Sequence, residues 1–477
     1  MKRTLLVFLL VNLILSACAP VSAPTPTPAP SATPLPTATA TPTSTATPTS
    51  APTATPTATP TPISTIQVGD LSVPDPRVTN PELFDLRNPD APIPQFVNAM
   101  KMAGIEITAE QVAQGITYEA LKGKGGNPFV VAVYNLASSL FPEKYRDLAG
   151  PIPLLIAKQG ERGWEWKKLE LDTTFQLAGI KNIGALMDAG NKYPKILNEF
   201  NLQMIPLYEI PLGINENARQ ELFRKESQEI RWRLSLGTQR HLIGAVIAGS
   251  DSSFHALSQG KKKEVIIQWL QRISDYKIIN PIGVIVFNEM HEKDYSDQEA
   301  VMIAQLAREN YPNMKLAYND TDNHYEKGMW TNYTRRMLNL VGDYVDAVGV
   351  QMHLAQWPYQ IAQLPTPKDI ASTLRSYGKE VWVTEFDITT AYLPGDTEQK
   401  RQIQALIAYN HVKGALDSGV VTVFNIWGLT DNESWYNNFG EPEFRNSEPL
   451  PFNKQGEPKA YYYYILKAIL DFLSQGA

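Results

Sequence analysis

The chain has 477 residues, 43% of them hydrophobic, and a formal net charge of -6. This length suits one large α/β barrel with additional segments, or two to three average domains. The mild acidity argues against nucleic-acid binding, which requires a basic stripe. A single cysteine excludes an internal disulfide framework, so the fold must rest on its own core.

The N-terminus carries an export and anchoring signal. Two basic residues at positions 2 and 3 precede an apolar run, and the sequence "LSAC" ends at Cys18. This pattern is typical of a bacterial lipoprotein signal peptide over 1–17, with Cys18 as the lipidated residue. A plain secretory signal cut near Ala17 or Ala19 is the alternative. Lipidation would anchor the protein to the bacterial envelope, at the cell surface or outside the cell, without spanning the membrane.

Two segments precede the main domain. Residues 18–65 consist mostly of Pro, Thr, Ala and Ser, a composition that predicts a disordered, extended stalk. Residues 66–165 predict an accessory N-terminal region with helices, a glycine-rich turn and a strand. The turn "GKGGNP" at 123–128 lacks the Lys-Ser/Thr ending of a phosphate-binding loop, so it predicts a hairpin or connector.

Residues 166–477 predict a (β/α)8 TIM barrel, because short apolar strands alternate with amphipathic helices over about 300 residues. A doubly wound open sheet is the alternative, but no glycine fingerprint follows an early strand. The predicted strands are 201–210, 241–249, 282–289, 315–320, 345–354, 380–388 and 420–428. The clearest predicted helices are 262–276, 297–310 and 398–416.

Two glutamates close apolar strands of this barrel. Glu289 ends "VIVFNE" and Glu385 lies in "VWVTEFDI". Functional residues of such barrels gather at the C-terminal ends of the strands, so the two carboxyls are expected to face one another. Facing carboxyls are the arrangement that a glycosidase needs. The same strand ends supply polar and aromatic side chains suited to sugars: Asn288, Asn319, Asp320, Gln351, His353, Asp387, Trp427 and Trp435.

These motifs resemble glycoside hydrolase family 10, the retaining endo-β-1,4-xylanases. The resemblance covers roughly 165–477 and rests on "FNEM", "YND", "GVQMHL", "VTEFDI" and "WGLTDNESW" in the family's order. It implies that Glu289 is the general acid/base and Glu385 the nucleophile. It implies a polysaccharide substrate and no cofactor.

The resemblance also implies supporting roles for the other strand-end residues. His353 and Asp387 match the pair that orients the nucleophile, and Asn288 matches the donor to the sugar 2-hydroxyl. Further matches are the hydrogen-bonding residue Gln351, the aromatic wall Trp427 and Trp435, and Asn319 on the leaving-group side.

Three positions depart from the family pattern. Glu209 is the only charged residue of the second strand, no Trp follows His241 in the third, and Thr321 replaces a Tyr after the fifth. Xylan and other β-linked glycans therefore both remain open as substrates.

Non-enzymatic alternatives also remain: a surface-tethered carbohydrate-binding protein on a non-catalytic barrel, or a solute-binding lipoprotein. Retention of both glutamates favours the enzyme. No metal site is predicted, because "HEKDY" ends in Tyr295 where a zinc protease has His. A monomer is the default expectation.

Overall fold

The computed structural model describes residues 64–186, 193–207, 216–236, 238, 240–244, 252–275, 281–292 and 295–475. The signal peptide, most of the stalk with Cys18, and Glu209 lie outside these residues. Among the helices described, none is both long and apolar enough to cross a membrane.

The N-terminal part of the described chain contains two antiparallel sheets and three helices. One sheet is a hairpin, and the other is a four-stranded meander in the order β3-β4-β5-β6. The turn at 123–128 joins β3 to β4 as a hairpin, as predicted, and Gly126 adopts φ +81° there, which favours glycine. The strand β3 itself was not predicted. The elements are β1 Thr65–Val68, β2 Leu71–Pro74, α1 Pro76–Thr79, α2 Pro92–Met102, α3 Ala109–Gly115, β3 Ile116–Lys122, β4 Pro128–Leu136, β5 Gly150–Gly160 and β6 Gly163–Lys168.

The rest of the described chain forms a closed barrel of eight parallel strands surrounded by helices. This confirms the predicted (β/α)8 fold and excludes the open sheet. The first barrel strand, β7, was missed because four residues containing a glycine carry little periodicity. The barrel strands are β7 Asn182–Ala185, β8 Leu202–Pro206, β9 Arg240–Gly244, β10 Pro281–Asn288, β11 Leu316–Thr321, β12 Ala347–Leu354, β13 Glu380–Ile388 and β14 Val421–Ile426.

The helices around the barrel begin at recognisable caps. Ser296 and Glu299 form a capping box at the start of α9, and Asp396 and Gln399 form one at the start of α13. These helices are α4 Leu171–Leu177, α5 Pro194–Leu197, α6 Glu216–Leu234, α7 Ser252–His255, α8 Gln259–Asp275, α9 Asp297–Asn310, α10 Thr331–Val341, α11 Pro358–Ala362, α12 Pro367–Ser376, α13 Thr397–Ser418, α14 Pro442–Arg445 and α15 Ala460–Ser474.

The barrel interior is filled by side chains, so the strand ends form the floor of a cleft and not the mouth of a pore. Trp382 is 1% exposed and packs with Ile285, Ala317 and Val423 in an inner apolar layer. A Cβ at Gly283 would lie 2.3 Å from the Trp382 ring, so this position requires glycine.

The N-terminal sheets share one apolar core with α13 and α15. Polar contacts also join the two parts: Arg401 Nη1 donates to the Met102 carbonyl at 2.6 Å, and the Tyr464 hydroxyl donates to the Leu148 carbonyl at 2.6 Å. This packing supports the barrel from outside. The division into domains at residue 166 stays a prediction.

Candidate active site

Strand register brings the predicted residues to one level of the barrel. Asn288 on β10 pairs with Asn319 on β11, while on β12 and β13 Gln351 pairs with Glu385 and His353 with Asp387. Side chains two residues apart on a strand share a face. The spacing Gln351-x-His353 on one strand therefore matches Glu385-x-Asp387 on its neighbour.

Direct hydrogen bonds hold Glu385 at both oxygens. Gln351 Nε2 donates to Oε1 at 2.7 Å, and His353 Nε2 bonds Oε2 at 3.1 Å. The residue is 6% exposed and lies within β13. These contacts fix the carboxyl in one orientation at the cleft floor.

His353 is in turn held by Asp387. Its Nδ1 bonds Asp387 Oδ2 at 3.0 Å, and Asp387 also accepts from Trp435 Nε1 at 2.8 Å and from the Tyr436 hydroxyl at 3.0 Å. Burial by itself would lower the pKa of His353, but Asp387 and then Glu385 raise that pKa to about 10. His353 is therefore a cation that donates to both carboxylates. Sequence reasoning missed Tyr436, although it follows the predicted Trp435 directly.

Glu289 lies one residue beyond β10 and is only half-buried. Its φ of +51° is unusual for a residue with a side chain, and its amide donates to the Asn319 carbonyl at 3.0 Å. Burial and the charge of Glu385 raise the pKa of Glu289, against smaller lowering effects of Gln351 and His291. The charge of Glu385 thus favours the protonated form of Glu289.

A ladder of amides and one hydroxyl fixes Asn288 beside the two glutamates. Asn288 Oδ1 accepts from Asn319 Nδ2 at 2.6 Å and from Gln351 Nε2 at 3.2 Å. Thr384, which sequence reasoning missed, donates to Asn319 Oδ1 at 2.7 Å. Because two donors occupy the Asn288 oxygen, its Nδ2 is the group available to a ligand. A Cβ at Gly349 would lie 2.2 Å from Asn319 Oδ1, so only glycine fits there.

Two tryptophans flank the Glu385 side of the cleft. The Trp435 ring centroid is 4.8 Å from that of His353, and the half-buried Trp427 ring is 6.3 Å from it in an edge arrangement. Trp435 is also tied to Asp387 through its indole N–H. Both rings thus border the buried His353, which binds Glu385.

A second histidine–aspartate pair lies on the Glu289 side. His291 Nδ1 bonds Asp320 Oδ1, and the Tyr318 hydroxyl donates to Asp320 Oδ2. Trp330 stacks on the His291 ring with centroids 3.9 Å apart. The sequence predicts that Asp320 lies at a strand end, but it assigns no role to this residue. Nothing in the sequence spacing links it to His291, which follows a different strand.

Other positions singled out in the sequence lie elsewhere. His241 is at the start of β9, in register with Gln203 and with Pro281, at the opposite end from the glutamates. Thr321 closes β11, and its amide donates to Asp320 Oδ1 at 2.9 Å. Within the described residues no group of three or more His, Cys, Asp or Glu side chains is arranged to hold a metal ion.

Three comparisons relate this chain to known proteins. Residues 286–468 match the model of glycosyl hydrolase family 10. Endo-1,4-beta-xylanase A of Caldicellulosiruptor saccharolyticus is 29% identical over 175 residues, 34% of this chain and 49% of the relative. Beta-1,4-xylanase of Dictyoglomus thermophilum is 26% identical over 247 residues, 47% of this chain and 66% of the relative. The chain thus spans less than two thirds of each.

Solved structures agree in fold. Xylanase 10B from Thermotoga maritima matches with a TM-score of 0.52 and 17% identity, over 64% of this chain and 100% of that one. A family 10 xylanase from Thermobacillus composti matches with a TM-score of 0.51 and 17% identity, over 63% of this chain and 100% of that one. At this identity the two structures show that the chain shares their barrel fold.

Proposed function

We infer that the chain is a retaining glycoside hydrolase of family 10 that cleaves β-1,4-xylan, or a related β-linked polysaccharide, internally. The observation that carries this inference is the pair of glutamates. Glu385 is held by Gln351 and His353, while burial and the charge of Glu385 raise the pKa of Glu289. Two carboxyls with different protonation states are what the reaction requires.

In the first step Glu385 attacks the anomeric carbon and Glu289 gives its proton to the leaving oxygen. The bond from the anomeric carbon to that oxygen breaks as the bond to a Glu385 oxygen forms. The cationic His353 keeps one Glu385 oxygen occupied, which leaves the carboxylate oriented for attack. In this proposal Asn288 Nδ2 binds the sugar 2-hydroxyl, a contact that strengthens in the transition state.

In the second step Glu289, now a carboxylate, takes a proton from water. The resulting hydroxide equivalent attacks the anomeric carbon and releases Glu385, so the configuration is retained. Loss of the Glu385 charge in the covalent intermediate removes one cause of the raised pKa of Glu289. The acid of the first step thereby becomes the base of the second.

The sugar-binding surface supports a polysaccharide substrate. Trp427 and Trp435 border the Glu385 side, where aromatic rings can stack on sugar faces. The relatives named above are xylanases, which favours xylan. The altered second and third strands leave the choice between xylan and another β-glycan to experiment.

The test is cleavage by the full-length chain in detergent, with β-1,4-xylan and mixed-linkage β-glucan as separate substrates and new reducing ends as the readout. Release of oligosaccharides that retain the anomeric configuration, lost in Glu385→Gln, supports the proposal. Cleavage of the glucan alone keeps the mechanism and changes the substrate. A folded protein that binds xylan but releases no product would establish the tethered carbohydrate-binding alternative.

We also propose that Cys18 is lipidated and that residues 18–65 hold the enzyme away from the envelope surface. The lone cysteine at the end of "LSAC" and the uncharged Pro/Thr-rich segment support this arrangement. Expression in a bacterium of wild type and Cys18→Ser, followed by membrane fractionation and mass spectrometry of the N-terminal peptide, tests it. An unmodified N-terminus from cleavage near Ala17 or Ala19 would indicate the plain secretory signal.

A further inference from the structure

Beside Glu289 lies a hydrogen-bonded histidine–aspartate pair that the proposed mechanism does not use. His291 lies in the short 3₁₀ turn Met290–Glu292 that directly follows Glu289, and its side chain is 3% exposed. Asp320, fully buried on β11, binds its Nδ1, and Trp330 covers its ring face. The imidazole is thus fixed by one strand and one aromatic ring.

The groups that face His291 come from three elements. Asp320 faces it from β11, Glu292 and Glu289 from its own loop, and Trp330 and Tyr333 from the start of α10. Glu292 Oε1 lies 3.8 Å from Nε2. Burial alone would lower the pKa of His291, but Asp320, with smaller contributions from Glu292 and Glu289, raises it. These carboxylates therefore favour the cationic form of the His291 ring.

The location of this cation matters because the charge of Glu289 changes during turnover. In the covalent intermediate Glu385 has lost its charge to an ester and Glu289 has become a carboxylate. The charge of the His291 cation lowers the pKa of Glu289, which favours the carboxylate form. Asp320 keeps that cation charged, and Tyr318 holds Asp320 in place.

We propose that His291 and Asp320 form a positioning pair, which holds the Glu289 loop and sets a positive charge beside the carboxylate that Glu289 becomes in each cycle. The inference rests on the function proposed above. It assigns to Glu289 a histidine–aspartate support of its own, separate from His353 and Asp387 on the Glu385 side. His291 does not touch substrate in this proposal; it acts through Glu289.

The test is the pH profile of kcat/KM for the full-length chain on the polysaccharide that the wild type cleaves. On the basic side of this profile, the basic limb, kcat/KM falls because Glu289 of the free enzyme loses its proton. His291→Gln removes a cation, which makes ionisation of Glu289 harder, so the basic limb should move to higher pH by about half a pH unit. His291→Lys restores a cation and should return the limb toward its wild-type position.

The outcomes separate this inference from the proposed function. A uniform loss of activity in His291→Gln with an unmoved limb would indicate a merely structural role and overturn the inference alone. A wild type without turnover on any glycan would overturn both. If His291→Gln fails to fold, imidazole NMR of the wild type decides, with assignment by Asp320→Asn. A protonated His291 at pH 8 supports the pair, and a neutral ring at pH 7 overturns it.

Discussion

The two glutamates of the cleft sit in contrasting surroundings. Glu385 lies within β13, is 6% exposed and has a direct donor on each oxygen. Glu289 lies just past the end of β10, with positive φ and a half-buried side chain. Under the proposed mechanism, the nucleophile, which must keep one orientation, is held by direct bonds on a rigid strand. The group which must exchange a proton stands at the strand edge, where water and the leaving group can reach it.

The histidine–aspartate pairs beside the two glutamates also differ in how they act. His353 binds Glu385 directly and Asp387 anchors His353, so this histidine fixes geometry. His291 is anchored by Asp320 in the same manner but acts on Glu289 through its charge. Four variants would break or sharpen this comparison.

Glu385→Gln should have the largest effect. Without the nucleophile neither half of the reaction proceeds, and we expect kcat to fall on the order of 10⁴-fold or more, whatever the leaving group. Reducing-end assays and aryl xyloside hydrolysis measure this. Glu380→Gln is the matched control, since Glu380 begins the same strand and pairs with Lys315 at the opposite end of the barrel. Equal losses in both variants would contradict the assignment.

Glu289→Gln should show an effect that depends on the leaving group. Removal of a general acid costs about 10²- to 10⁴-fold when the leaving oxygen is basic, as in a polysaccharide. A dinitrophenyl glycoside leaves without protonation, so formation of the covalent intermediate should be nearly unaffected and its breakdown slow. Burst kinetics measures both steps. Glu309→Gln, on the exposed face of the helix α9, is the control, and equal losses on both substrates would contradict the role.

Asp387→Asn should reduce kcat by about 10- to 100-fold, the equivalent of one charge-assisted hydrogen bond. Loss of the Asp387 charge lowers the pKa of His353 from about 10, so the titration profile of the His353 ring, followed by imidazole NMR, should move to lower pH. Tyr436→Phe removes a donor to Asp387 but no charge, and should leave the profile in place. A profile that moves in both variants would rule out this explanation.

The smallest expected effect is on stability. The pKa of His353 is raised to about 10, so its contribution is complete below its unfolded value near pH 6.5 and is lost as the pH rises toward 10. The free energy of unfolding of wild type should exceed that of His353→Gln by about 2 kcal/mol at pH 6. Urea denaturation should show this difference fading by pH 9.

His411 provides the matched control for that measurement, because burial lowers its pKa to about 4. Its stabilising contribution is present above pH 6.5 and is lost as the pH falls toward 4, the opposite sign. The difference between wild type and His411→Gln should therefore shrink on acidification. The same trend for both histidines would contradict the charge states assigned here.

The local hydrophobic pattern of the sequence was sufficient to predict much of the barrel. Residues 380–388 form β13 with the predicted bounds, since apolar and β-branched residues make up most of this stretch. Capped, amphipathic α9 was predicted at its observed limits. β3 and β7 were missed because one is half-exposed and the other is very short. Their pairing, and not their own periodicity, makes them strands.

The sequence by itself determined the fold class, the two glutamates and the strand ends where polar residues gather, because hydrophobic period and strand termination are local properties. Only the tertiary structure decided which strands are neighbours and in what register. That register places His353 between Glu385 and Asp387, and it brings His291 from one loop to Asp320 on the next strand. Charges on separate strands influence one another only after the barrel closes, so the environment of Glu289 is a property of the folded chain.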